Sequence, residues 1–175
     1  VCTEPISLAP VFSPRSKAKL ERAVGACLKL SPKGDCFTDI HGPIGEWDVS
    51  RIMDMSRILY DEKMRRYLTN AEMFNGDLSK WDVSSVVTMD RMFQGASAFN
   101  GDLSKWDVYS VTKMSTMFRQ ASSFNADLSK WDVSRVINMD SMFFFATMFN
   151  ADLSKWDVSS VTNMGVMFGN ATAFD

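Results

Sequence analysis

A block of 25 residues recurs along this 175-residue chain almost letter for letter, and no other feature constrains its folding so strongly. Trp81, Trp106, Trp131 and Trp156 are evenly spaced, each within F-N-(G/A)-D-L-S-K-W-D-V followed by V-x-x-M-x-x-M-F-x-x-A. A fixed period of roughly 20–50 residues marks an array whose units stack because none can bury its apolar face alone. Regular coils start at Phe74, Phe99, Phe124 and Phe149, after an interrupted first coil that starts near residue 40. In that first coil Ile44, Trp47 and Val49 match Leu78, Trp81 and Val83 at an offset of 34, which leaves a nine-residue insertion near Asp61–Thr69. Insertions in such arrays emerge as loops on one face, often the binding face. A tolerated surface excursion is the alternative, because changes in loop length cost little.

Each coil carries L-x-x-W-x-V, as in Leu103-Trp106-Val108, which has the spacing of the L-x-x-L-x-L strand of leucine-rich repeats. Alternation puts Trp81 and Val83 on one side of a short strand and Lys80, Asp82 and Ser84 on the other. Val86, Met89, Met92-Phe93, Ala96 and Phe99 follow three and four apart, a spacing that predicts a helical or 3₁₀ segment. The expectation is an α/β fold: a leucine-rich-repeat-like solenoid of short parallel strands and helical segments, about five coils of 25 residues, with the Trp row buried. Asn75-Gly76-Asp77 and its copies are turn chemistry, with the stacked Asn row satisfied by the adjacent coil.

Residues 1–39 read as an N-terminal extension and capping helix, and 40–175 as the repeats. Ser13-Pro14 suits an N-cap and first helical position, predicting a helix around Pro14–Leu30. Leu20, Ala23, Val24, Cys27 and Leu28 form its apolar stripe, and Ser31-Pro32 with Gly34-Asp35 stops it. Such a helix covers the open apolar end of the first coil; a membrane-surface helix fits less well, because the stripe is narrow and lacks Trp and Phe. Cys27 and Cys36 either close a disulfide across the turn or remain two buried thiols, and Cys2 is left over. An oxidised pair would imply a secreted or organelle-lumen protein. The chain opens at Val1 with no signal peptide in view, so either a leader has been removed or the sequence is a fragment. No polar cap follows Phe174-Asp175, so the C-terminal edge is expected to be covered or truncated.

From about Ile44 to Phe174 these residues resemble the BspA-like surface repeat family, an offshoot of leucine-rich repeats found in surface lipoproteins and adhesins of bacteria and protists. The stretch A-C-L-x-L-S-P-x-G-D-C and the G-P-I-G-E-W-D-V that follows resemble leaders of algal-type arrays with an N-terminal helical cap. The resemblance implies adhesion or protein–protein contact, and it brings no catalytic residue to carry over.

The inventory points away from catalysis. The single histidine, His41, stands where the other coils have Asn75, Asn100, Asn125 and Asn150, and no Cys/His metal cluster, P-loop or nucleophile elbow occurs. The Asp77 and Asp82 rows are periodic and serve the stack, with the Lys80 row offsetting their charge. A calcium ladder lacks its glycine-rich nonapeptide, and an ice-binding surface lacks a regular exposed Thr array. A net charge of −2 creates no field for nucleic acid, and no apolar run approaches the ~18–20 residues that span a bilayer. The expectation is therefore a protein that is not an enzyme, with no cofactor, no metal, no nucleic-acid partner and no transmembrane segment.

Departures from the repeat point to a partner instead. Tyr109 replaces the Ser of other coils on the polar face, and Glu46 heads the Lys row. Phe144, Phe145 and Met148 replace Gln94, Gly95 and Ala98. Aromatic and Met residues breaking into a polar surface are the composition of an interface core. The competing reading folds Phe144 or Phe145 over a neighbouring coil. Asn170-Ala171-Thr172 also matches a glycosylation sequon. The functional expectation is a non-catalytic protein–protein interaction scaffold binding another protein or a multi-subunit complex. Its alternatives are an extrinsic, lumenal or peripheral subunit of a membrane assembly such as an algal photosystem, and a cell-surface adhesin. The compartment expected is extracytosolic: cell surface or organelle lumen, the thylakoid lumen included.

Overall fold

Capping chemistry decides where the one α-helix begins. In this computed structural model, which describes residues 11–61 and 66–175, α1 spans Lys17–Leu30. Its N-cap is Ser16, whose hydroxyl accepts from the Lys19 amide at 3.4 Å. The expected start at Pro14 is corrected by three residues, because Ser13 is drawn into a tertiary contact and donates to Asp48 Oδ2 at 3.0 Å. The helix buries Leu20, Ala23, Val24, Cys27 and Leu28, the stripe its spacing predicts. Asn70 donates to the Leu28 carbonyl at 2.9 Å, and Lys17 reaches Asp54 and Ser56 at 3.1 and 2.6 Å, so α1 lies against the first coil. Cys2 and the rest of the lead over 1–10, and the middle of the insertion at 62–65, lie outside the described residues.

The α/β leucine-rich-repeat-like solenoid expected from the spacing is not formed. Beside α1, the described residues contain two single-turn 3₁₀ segments (Ile44–Glu46 and Ala71–Met73) and one two-stranded antiparallel hairpin, β1 (Tyr60–Asp61) with β2 (Arg66–Tyr67). Neither the W-x-V strand nor the M-x-x-M-F helical segment exists. At W-x-V the chain turns twice, Trp106 N–H to Leu103 C=O at 3.1 Å and Val111 N–H to Val108 C=O at 2.9 Å. The carboxylates of Asp102 and Asp107 take the amides of Ser104 and Tyr109 at 2.9 and 3.1 Å, so side chains hold backbone donors that a strand would aim at its neighbour.

The period is expressed in turns stacked one above another. Isolated parallel bridges join Asp54, Thr88, Lys113, Asn138 and Asn163 in sequence. From each bridge onward, alternate amides point along the stack: Met114, Thr116, Phe118 and Gln120 donate to Asn138, Asp140, Met142 and Phe144 at 2.8–2.9 Å. Two residues per coil take the left-handed conformation, such as Thr116 and Gln120 at φ 55° and 61°, and Ser141 and Phe145 at 54° and 59°. Those residues swing the N–H groups out of any i to i−4 pattern, which is why helical spacing gave inward-facing side chains without a helix.

Buried residues fill the space inside the turns. Leu103, Trp106, Val108, Val111, Met114, Met117, Phe118, Ala121 and Phe124 are each 4% exposed or less. Two phenylalanine columns run through the stack. Phe93, Phe118, Phe143 and Phe168 succeed one another at 5.5–5.6 Å, and each lies about 4 Å from its partner in the Phe99–Phe124–Phe149–Phe174 column. Trp106 and Trp131 stack at 6.4 Å with planes 1° apart, and each indole N–H donates to a Leu carbonyl of the preceding coil, Leu78 and Leu103, at 3.0 Å. Asparagine supplies a third column: the amides of Asn100, Asn125 and Asn150 donate to Asn75, Asn100 and Asn125 Oδ1 at 2.8–2.9 Å, the satisfaction expected of stacked Asn. Cys27 and Cys36 are disulfide-bonded, Cα atoms 5.3 Å apart and both side chains fully buried. In the last coil Trp156, Phe168 and Phe174 are half-buried, and Val158, Met164 and Val166 are exposed.

Candidate partner-binding surfaces

Two surfaces carry the residues that break the repeat. On the polar side, Asp77, Asp102, Asp127 and Asp152 each accept the amide two residues on, and the bonded serines hold these carboxyls below the usual range. Glu46, at the head of the lysine row, pairs with Lys80 at 2.5 Å, and that bond raises the Lys80 ammonium above its ordinary value. Tyr109 is 50% exposed here, with the Arg135 guanidinium of the next coil 5.2 Å from its ring centre. Lys130, Asp132, Ser134, Lys155 and Asp157 line an open polar groove on this side. His41 is a turn residue: its amide and its Nδ1 both meet Asp39 Oδ1, at 2.8 and 2.6 Å.

The other surface is aromatic and cationic, and its geometry runs from the first coil to the last. The hairpin of the insertion holds Tyr60 against Tyr67, rings 5.6 Å apart and nearly perpendicular. Tyr67 lies over Gly95, where a Cβ would come within 3.3 Å of its ring, and Gly95 sits at φ 76°. The Gly95 amide donates to the Arg119 carbonyl at 2.8 Å. The Arg119 guanidinium in turn lies 4.4 Å from the Phe144 ring centre. On its other side Phe144 presses on Gly169, where a Cβ would stand 2.7 Å from the ring. Phe145 meets Phe144 edge-on at 4.7 Å, is 42% exposed, and donates its amide to the Gly169 carbonyl at 2.8 Å. Burial raises the Tyr67 hydroxyl above its ordinary pKa, against the opposing pull of the Arg119 and Arg91 guanidinium groups.

The structure therefore gathers Phe144 and Phe145 but separates their roles. Phe144 is half-buried over the neighbouring coil, whereas Phe145 faces solvent. Met148 is 60% exposed and bonds backward, its amide to the Ser122 carbonyl at 3.1 Å. Among the described residues no ring contact joins Tyr109 to the phenylalanines. Sequence reasoning missed Tyr67, Gly95, Arg119 and Gly169. The signal was present in the columns: Gly95, Gln120, Phe145 and Asn170 share one position, and the glycine falls in the coil after the insertion. Likewise Gln94, Arg119, Phe144 and Gly169 share another, where the glycine follows the phenylalanine.

Comparison with known proteins gives a family. The model of the family described as "Mycoplasma protein of unknown function, DUF285" matches residues 34–131 and, overlapping them, 106–175. The chain belongs to that family. No curated protein matches it, and no solved structure does. Among the described residues no helix is long and apolar enough to cross a membrane.

Proposed function

We propose that this chain is a non-catalytic scaffold for protein–protein interaction. Its regular coils supply a stiff frame, and its irregular residues the contacts. One observation carries the reading: Phe145 exposes 42% of its surface from a backbone held at φ 59° by a bond to the next coil. A left-handed conformation costs a non-glycine residue roughly 1–2 kcal/mol, and three related coils place Gly, Gln or Asn there. Large aromatic groups in fixed geometry are what interfaces anchor upon. Tyr109 and Met148 extend the candidate contacts. The resemblance to BspA-like surface repeats supports a surface role, and the buried Cys27–Cys36 disulfide supports an extracytosolic compartment, whether cell surface or organelle lumen.

The anchors suit an extrinsic subunit docked on a larger assembly, including one of a thylakoid membrane; the family resemblance suits an adhesin. Replacing Phe145, and separately Tyr109, by a photo-crosslinking phenylalanine in cells of the source organism tests the scaffold. The expected result is a discrete protein adduct through Phe145. Sedimentation of that adduct with a large complex supports the subunit, and recovery with the cell surface supports the adhesin. Illumination that yields no adduct from either position refutes the scaffold reading.

A further inference from the structure

The insertion and the phenylalanine pair lie in different coils, yet the structure joins them. Tyr67 covers Gly95, Gly95 is bonded to Arg119, and Arg119 stacks on Phe144, which meets Phe145. We propose that this ridge, from Tyr67 past Arg91 and Arg119 to Phe145, docks an acidic segment of a partner protein that also carries an aromatic or aliphatic side chain. The proposal rests on the scaffold reading and adds the chemistry of the partner.

Charge complementarity selects the occupant. Among the described residues no ion pair engages Arg91 or Arg119, whereas Lys17, His41 and Lys80 each have a carboxylate partner. Arg119 is half-buried with its guanidinium carbon over the Phe144 ring, 4.4 Å from the centre, so its guanidinium is placed before any ligand arrives. A guanidinium stacked on an aromatic face keeps its in-plane donors free for a carboxylate, which it engages in bidentate fashion. Arg91 is exposed and its carbonyl accepts the Gln94 amide at 3.3 Å, next to the Gly95 whose own amide reaches Arg119, so the two cations flank one locality. Phe145, beyond Phe144, offers the apolar contact. A basic segment would be repelled by the two guanidinium groups, and an uncharged one would offer the Arg119 donors no carboxylate.

Fluorescence anisotropy with synthetic labelled peptides tests this. The probes are an Asp/Glu-rich peptide containing two phenylalanines, its Lys-rich counterpart, and phosphatidylserine vesicles as a separate arm. The acidic peptide should bind, lose affinity steeply with salt, and lose about tenfold on Arg119→Glu, which corresponds to ~1.4 kcal/mol. Arg91 is exposed, so Arg91→Glu should fold and show a loss in the same direction even where Arg119→Glu does not fold. Phe145→Gly should weaken the acidic peptide while leaving its salt dependence. Equal binding of the Lys-rich peptide, binding of vesicles in place of the peptide, indifference to both arginine variants, or no peptide binding overturns the proposal. A Phe145 photo-adduct obtained alongside any of those outcomes leaves the scaffold standing and removes only its acidic partner. Absence of an adduct from Phe145 and Tyr109 alike removes both.

Discussion

Replacing Trp106 by alanine tests how the coils hold one another. The indole is 4% exposed, stacks on Trp131 at 6.4 Å, lies 6.2 Å from Phe93, and donates Nε1–H to the Leu78 carbonyl at 3.0 Å. Truncating a buried aromatic of this kind costs about 3–5 kcal/mol through lost transfer energy and the cavity left behind. Leaving the Leu78 carbonyl buried without a donor accounts for roughly 1–3 kcal/mol when isolated, so Trp106→Phe should lose about that much while retaining most of the ring. Trp156 makes the same bond, to Leu128 at 3.0 Å, but is only half-buried, so Trp156→Ala should cost clearly less than Trp106→Ala. Urea unfolding followed by circular dichroism gives the three values. Stacked arrays couple mainly to nearest neighbours, so hydrogen exchange should show protection lost first in the coils flanking residue 106. A Trp106→Ala cost under ~1 kcal/mol, or one equal to that of Trp156→Ala, would refute the claim that the tryptophan column carries the coupling.

Three other outcomes are expected. Reduction of the Cys27–Cys36 bridge, sequence separation 9, should lower stability by about 2–3 kcal/mol on loop-closure grounds, read as a fall in Tm with dithiothreitol that a Cys27→Ser, Cys36→Ser double variant does not show. Asp90 has its carboxyl raised by burial, so its charge opposes folding once the pH exceeds its unfolded pKa; Asp90→Asn should be neutral or stabilising at pH 7, with the difference fading as the pH falls below the usual carboxylate range. Asp48 is its counterpart, lowered by bonds from Ser50 and Ser13, so Asp48→Asn should destabilise at pH 7 and cease to matter in acid.

The sequence made the inward-facing residues legible and misassigned the backbone that carries them. Val86, Met89, Met92, Phe93 and Ala96 are all buried, as a helical stripe would be, yet Arg91 and Gly95 at φ 60° and 76° turn that segment into stacked bends. Apolar spacing reports which side chains point inward and is silent on where the amides go. Left-handed positions occupied by Thr116, Ser141 or Phe145 carry no glycine to announce them. Ser13 failed as a helix cap for a related reason: a contact with Asp48, 35 residues away, outweighed the local preference. At the candidate surface Tyr109, Phe145 and Met148 were found as breaks in the pattern. Tyr67 and Arg119 were not, because one depends on where the hairpin lies over Gly95 and the other on the Phe144 ring of the next coil.

The asparagine column has a consequence for inheritance. Every regular coil offers its successor the same Oδ1 acceptor and receives the same amide from it, so a unit of 25 codons can be gained or lost by unequal exchange with no new junction to invent. Lengths other than whole multiples would set Asn against a residue without the acceptor and break both phenylalanine columns at one step. Two places resist such exchange: Gly95, which accommodates the hairpin of the coil before it, and Gly169, which accommodates Phe144. Copies multiply freely only between those points, which makes the spacing between the irregular contacts the heritable variable.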